Sequence, residues 1–184
     1  MAAAAVPGAG AGPVRWTVRP ETAADAGAVR RVLTAAFPTA GEADLVEALR
    51  GDAAWVPGLS AVAETPGGRA AGYALATRCR VGGGPALALA PVAVLPELQR
   101  RGAGGAAVRA VLAAAARRAA SGGERLVVVL GHPEYYPRFG FARASGLGVS
   151  VAFAAPVEAL MALVLDGPGP VPSGTVAYPA PFGV

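Results

Sequence analysis

The chain predicts an α/β fold: a mixed, mostly antiparallel sheet with helices on both faces. Two observations carry this. Three apolar segments, 59–64, 70–80 and 86–95, follow one another across short Gly/Pro turns, as hairpin-connected strands do. The third then passes through a Gly-rich turn into an alanine-rich helix and on to the apolar run Leu126 to Leu130. A strand, helix and parallel strand in that order form a right-handed crossover, which lays the helix back over the sheet.

The elements follow in order. Val14 to Arg19 alternates like an edge strand, and Pro20-Glu21-Thr22 ends it. Ala23 to Phe37 is expected to be a helix with Val29, Val32, Leu33 and Phe37 on one face. After Pro38 to Gly41, a second helix from Glu42 to Arg50 presents Leu45, Val46 and Leu49. Glu42, Asp44, Glu47 and Asp52 make the segment from Phe37 to Trp55 acidic, which suits either a solvated helix face or a pocket wall. Leu59 to Glu64 and Ala70 to Arg80 form a hairpin about Thr65 to Gly68, and Gly82 to Pro85 turns into the strand Ala86 to Leu95. A helix opens from Gln99, with Val108, Val111, Leu112, Ala115 and Ala119 at core spacing and Arg109, Arg117 and Arg118 opposite. Ser121-Gly122-Gly123 stops it. Beyond Leu130, a short aromatic helix ends at Gly140. Strands are then expected at Gly148 to Phe153, Val157 to Leu165 and Thr175 to Tyr178.

Composition narrows the function classes. With 184 residues, 54% of them hydrophobic and 15% charged, the chain is globular and of one-domain size: a domain over 14–184 behind a disordered Ala/Gly-rich tail, 1–13. The tail lacks a basic start and Pro7-Gly8 breaks its apolar run, so it is not read as a signal peptide. All 16 basic residues are arginine, which suggests a G+C-rich bacterial genome rather than a function. A net charge of +4, with no basic run carrying interleaved aromatics, disfavours nucleic-acid binding. No apolar run approaches a membrane span. The single cysteine, Cys79, rules out an intramolecular disulfide, and a cytoplasmic monomer or homodimer is expected. With one histidine and one cysteine, no metal site is expected.

Two motifs carry chemistry. In the first, the strand ending near Leu95 is stopped by Pro96, and Gln99-Arg100-Arg101-Gly102-Ala103-Gly104-Gly105 opens the helix. Glycines there let an anion reach backbone N–H groups that have no partner in the first turn, and the helix dipole favours a phosphate or pyrophosphate. A glycine-softened helix start is the plainer reading. No lysine follows, so this is not a Walker loop, and the G-x-G-x-x-G fingerprint fails at Ala107. In the second, His132-Pro133-Glu134-Tyr135-Tyr136-Pro137-Arg138-Phe139-Gly140-Phe141 concentrates aromatics in a chain only 6% aromatic. It reads either as a hydrophobic plug over the sheet end or as part of a site.

Together the motifs resemble the GNAT superfamily of N-acetyltransferases. Gln99-x-x-Gly102-x-Gly104 matches that family's coenzyme A pyrophosphate loop, and Tyr135, Tyr136, Gly140 and Phe141 match its Y-x-x-x-G-F segment after the next strand. The H-P-x-Y-Y-x-x-F-G-F run, Met161-Ala162-Leu163 and Gly174 to Pro179 resemble one bacterial branch of small predicted N-acetyltransferases. The resemblance implies a twisted sheet whose parallel pair splays apart to admit acetyl-CoA. It implies that the pyrophosphate takes backbone N–H groups of Arg101, Gly102, Ala103, Gly104 and Gly105, beside Gln99 and Arg100. The pantetheine arm would pair with Val92, Ala93 and Val94. Val94 N–H would polarise the acetyl carbonyl, and Tyr136 would be the general acid, with Tyr135 as the alternative. The chain would then acetylate a primary amine by direct attack in a ternary complex. A non-catalytic acyl-CoA sensor is the competing reading. No acid lies on the strand 86–95, so Glu64, His132 or an ordered water is left as general base.

Overall fold

The computed structural model describes residues 15–184, so the expected tail, 1–13, lies outside the described residues. Four strands run antiparallel in sequence order: β1 (Thr17–Pro20), β2 (Ser60–Glu64), β3 (Ala70–Val81) and β4 (Gly84–Val94). Next to β4 lies β5 (Leu126–Leu130), its parallel partner across the crossover. Beyond it the sheet adds β8 (Leu160–Val164) and the two-residue β6 (Ala142–Arg143). Two more short strands, β7 (Val149–Ser150) and β9 (Gly174–Ala177), pair with each other, and β9 also pairs with the end of β3.

The sheet faces follow from alternation. Val62, Tyr73, Leu75 and Ala93 point to one side, where α1 (Ala26–Ala36) and α2 (Gly41–Arg50) cover them with Val29, Val32, Leu33, Val46 and Leu49. Ala61, Ala63, Ala74, Ala76, Leu87 and Leu89 point to the other side, under α3 (Ala103–Ala120). The buried stripe of α3 is mostly alanine, so the helix rides close to the sheet: Gly72 leaves room for Ala103, whose Cβ would lie 3.2 Å from a Cβ at that position. A third cluster fills the far end, where Cys79, Val81, Ala88, Leu126, Val128 and Leu160 pack against Val149 of β7 and Val176 of β9. Cys79 is a core residue, and burial pushes its thiol up to about 12, which suits packing and not nucleophilic chemistry.

Several boundaries differ from expectation. The first strand is Thr17–Pro20, and a 3-10 turn at Ala23–Asp25 precedes α1. Pro96–Leu98 form a separate 3-10 turn, and α3 begins at Ala103 and not at Gln99, because Gly102 stands as its N-cap with φ 94°. A side chain at that backbone angle would be strained. The strand expected from Val157 starts at Leu160, since Val157 to Glu158 lie in an exposed turn whose Ala159 N–H bonds Pro156 at 2.9 Å. Around β7 only Val149–Ser150 is strand, and β6 carries no apolar alternation that would announce it.

Candidate active site

Strand β4 makes the site possible by leaving β5. The two pair at Leu87↔Val127 and Ala88↔Val128, and no further. On its other edge β4 carries a bulge: Ala74 faces Val92 and Ala76 faces Leu89, so Ala90 and Pro91 together oppose Leu75. A bulge bends its strand and increases local twist, and a proline N cannot donate to a ladder. Past this point β4 turns away from β5, whose last residue, Leu130, is left 43% exposed. A cleft of about 1040 Å³ opens in the fork.

The backbone of β4 presents polar groups to that cleft. Leu95 N–H donates to Ala71 O at 2.9 Å, on the β3 side. Successive residues point their amides to opposite edges, so the N–H and C=O of Val94 face the fork, and those of Val92 do likewise. The Gln99 amide donates to Val94 O at 3.3 Å from within the same space. The Val92 and Val94 side chains pack toward α3, whereas Ala93 belongs to the opposite face, against α1 and α2.

The floor of the cleft is the start of α3. The first amide with an intrahelical bond is Ala106, which donates to Gly102 O at 2.9 Å, so the Ala103, Gly104 and Gly105 amides of the first turn stay open. Arg100 holds a positive φ of 58°, a conformation rare in non-glycine residues that is found where a surrounding structure enforces it. Trp16 contributes to that enforcement: its Nε1 donates to Arg101 O at 2.7 Å, tying the loop to the chain just before β1. Arg101 itself is exposed and its side chain lies off the cleft, while Gln99, Arg100, Gly102, Ala103, Gly104 and Gly105 line it. Two further guanidiniums reach the same rim. Arg109 stands 5.4 Å from the Phe139 ring centroid, and Arg138 stands 4.5 Å from that of Tyr135.

The aromatic run closes the cleft from the β5 side as a 3-10 turn, Tyr136–Phe139, ended by Gly140. Tyr136 is 8% exposed, edge-on to Tyr135 at 5.1 Å and to Phe141 at 5.7 Å. Gly131 is required beneath it, since a Cβ there would overlap the Tyr136 ring. Burial pushes the Tyr136 phenol up to about 12, with the neighbouring Tyr135 phenol adding to the effect. Burial also raises the Tyr135 phenol, against the lowering pull of Arg138 and Arg109. The Tyr135 hydroxyl lies over the helix mouth, 3.4 Å from where a Gly104 Cβ would stand.

Of the two named base candidates, His132 lines the cleft. Glu64 does not, and the reason is an ion pair: its Oε1 accepts from Arg19 at 2.6 Å, and Arg19 also grips Asp25 at 2.7 Å. Sequence reasoning assigned no site role to Arg109, Arg138 or Trp16, and it reached Phe37 and Leu45 only as part of the segment 37–55 offered as a pocket wall, which Phe37, Glu42 and Leu45 do line. Arg138 sits inside the aromatic motif, and Arg109 is one turn beyond Gly105 on the exposed side of the helix, so spacing alone could have put both near the loop. The contact from Trp16 spans 85 positions and leaves no local signal. Among the described residues, no group of three or more His, Cys, Asp or Glu side chains could hold a metal ion. No helix among them is long and apolar enough to cross a membrane.

The fork thus leaves a cleft bordered on one side by the unpaired edge of β4 and on the other by the open first turn of α3. Residues 27–141 match the family model described as Acetyltransferase (GNAT) family, and the chain belongs to that family. An uncharacterized N-acetyltransferase of Escherichia coli strain K12, YjhQ, is 40% identical over 126 residues, which cover 66% of this chain and 67% of YjhQ. Among solved structures, the GNAT family N-acetyltransferase YhbS of Escherichia coli, in complex with CoA, superposes with a TM-score of 0.81 at 26% identity. The match covers 96% of this chain and 97% of YhbS. A GNAT family acetyltransferase from Brucella melitensis, in complex with acetyl-CoA, gives a TM-score of 0.71 at 32% identity, covering 91% and 98%.

Proposed function

We propose that this chain transfers an acetyl group from acetyl-CoA to a primary amine by direct attack in a ternary complex, within one domain spanning 14–184. The observation that carries the reading is the orientation of Val94: its amide faces a fork whose floor is the unpaired first turn of α3. The open amides of Ala103, Gly104 and Gly105 and the Arg100, Arg109 and Arg138 guanidiniums suit a pyrophosphate, by hydrogen bonding and by charge. Val92 and Val94 offer the pantetheine arm strand-like pairing where β5 has withdrawn. CoA and acetyl-CoA in the two structural relatives support this assignment.

The chemistry then divides among few groups. Val94 N–H, held in position before reaction, stabilises the oxyanion that forms on the acetyl carbonyl. The amine nitrogen bonds to the acyl carbon, the carbon–sulfur bond breaks, and the electron pair leaves on sulfur. Tyr136 supplies the proton that makes this thiolate a thiol. A phenol held at about 12 keeps that proton at neutral pH, and a thiolate forming in the same apolar surroundings is equally desolvated, so its own affinity for a proton rises in step. An ammonium must shed two protons to end as an amide. One restores Tyr136 through solvent and the other is released.

Thermal unfolding tests the reading. Acetyl-CoA and CoA at millimolar concentration are expected to raise the melting temperature, whereas ATP and NAD are not. No shift with acetyl-CoA would sink the proposal. A sensor that binds without turnover would show the same shift, and the Tyr136 variant described below separates the two.

A further inference from the structure

The acetyl-transfer reading leaves the acceptor unassigned, and one cleft residue remains without an occupation. Glu42, in the first turn of α2, lines the cleft with Val94 and Tyr136, and its buried Oε2 has no hydrogen-bond partner among the described residues. Glu42 is therefore not committed to an ion pair among the described residues, and a carboxylate left free at a cleft is available to a cationic ligand.

The neighbouring acids are engaged. Asp44 and Glu47 each bind Arg30 at 2.8 Å, Glu21 binds Arg50 at 2.6 Å and Tyr73 at 2.7 Å, and Asp52 accepts from Ala54 N–H at 2.7 Å. Among the described residues lining the cleft, Glu42 is the sole acid, set against the three arginines named above. Its neighbours on the helix side are Phe37 and Leu45, both apolar.

Resting on the acetyl-transfer reading, we infer that Glu42 receives the acceptor's ammonium group, and that the acceptor is a primary monoamine on an apolar body. Glu42 takes one of the two protons the nitrogen sheds and passes it to solvent, and the other follows the route through Tyr136. The single carboxylate matches one ammonium, and the Phe37 and Leu45 side chains give the body a surface that excludes water. A polyamine's second charge would meet no second acid there, and the carboxylate of a zwitterion whose ammonium sits on Glu42 would lie against the apolar Phe37 and Leu45.

The test compares the parent with Glu42→Gln. Acetyl-CoA is expected to stabilise both equally, and the amide variant is expected to melt at or above the parent, because Glu42 makes no ion pair or hydrogen bond among the described residues for the change to break. Thiol release at saturating acetyl-CoA is then followed with 2-phenylethylamine, hexylamine, spermidine and glycine. The parent should favour the two apolar monoamines by on the order of tenfold in kcat/KM. Glu42→Gln should lose roughly 10²-fold in kcat/KM for them, with the KM for acetyl-CoA unchanged and partial recovery in Glu42→Asp. Parental kcat/KM in Glu42→Gln, or a melting temperature below the parent's, would overturn the inference. So would a parent that binds acetyl-CoA yet acetylates neither apolar monoamine, or prefers spermidine or glycine. A parent that acetyl-CoA does not stabilise would overturn the acetyl-transfer reading beneath it.

Discussion

Tyr136 is placed by packing rather than by hydrogen bonds: its ring is wedged between Tyr135, Phe141 and the bare backbone of Gly131. Removing its hydroxyl therefore changes the chemistry and little else. In Tyr136→Phe the turnover number is expected to fall by roughly 10²-fold while acetyl-CoA affinity and melting temperature stay near the parent's. Because the phenol is pushed up to about 12, the parental rate should show no decline from its ionisation until the pH nears that value. Turnover at the parental rate would leave Tyr136 as packing and pass the acid role to Tyr135 or solvent. Absence of amine-dependent CoA release in the parent would favour the sensor. At this scale, equal-looking acids part ways: Glu64 is held by Arg19, whereas Glu42 Oε2 has no hydrogen-bond partner among the described residues.

At the scale of elements, the mouth of α3 and the bulged end of β4 form one unit. A Cβ on Gly104 would meet Val94 Cγ2 at 3.0 Å and the Tyr135 hydroxyl at 3.4 Å, so this glycine sets how closely the helix approaches the strand. Gly104→Ala is expected to push Val94 out of line, reducing acetyl-CoA affinity and also costing about 1–3 kcal/mol of stability through overpacking. Calorimetric titration and urea unfolding would measure the two effects. Unchanged affinity would mean that β4 is not held by the helix, contrary to this account. Gly105 differs: its nearest obstacle is the end of the Arg109 side chain at 3.3 Å, which can move aside.

Across the whole molecule, stability is expected to fall toward both pH extremes. Burial raises Cys79, Tyr136 and Tyr178 to about 12, each above its ordinary value. Above the ordinary thiol and phenol range, the unfolded chain ionises while the folded chain keeps these protons. The contribution is complete below that range and is lost as pH rises toward about 12. Asp25 behaves in the opposite sense, since the hydrogen bonds from Arg19 hold its carboxyl well below the usual range. Its contribution is present above the ordinary carboxylate value and disappears as the medium becomes more acidic. Urea midpoints at a series of pH values should therefore decline above about pH 9. A flat profile through pH 11 would show that these groups are not desolvated as described.

What the sequence determined by itself was whatever is written at short range. The apolar segments 59–64, 70–80 and 86–95 between Gly/Pro turns report hairpin-connected strands, and Val108, Val111, Leu112, Ala115 and Ala119 at core spacing report a helix with one packed face. The glycines from 102 to 105 report an open first turn, and the spacing of Tyr135, Tyr136, Gly140 and Phe141 carried the family resemblance before any coordinates. The strand–helix–strand pattern also anticipated the parallel pairing of β4 and β5, since a helix-long connection returns the chain to the end of the sheet where β4 began. Only the tertiary structure decided how far that pair stays together. The fork depends on where Ala90 and Pro91 bulge against Leu75, a matter of register between strands. Only the tertiary structure paired β7 with β9 and closed the far end over Cys79: the sequence announces strands near 148–153 and 175–178 but not which strand each one meets. It also separated Glu64, paired with an arginine 45 positions away, from Glu42, which stands at the cleft without an ion-pair partner among the described residues. A side chain's type is local, but its partner is chosen by how the whole chain packs, and the chemistry of a charge depends on its partner.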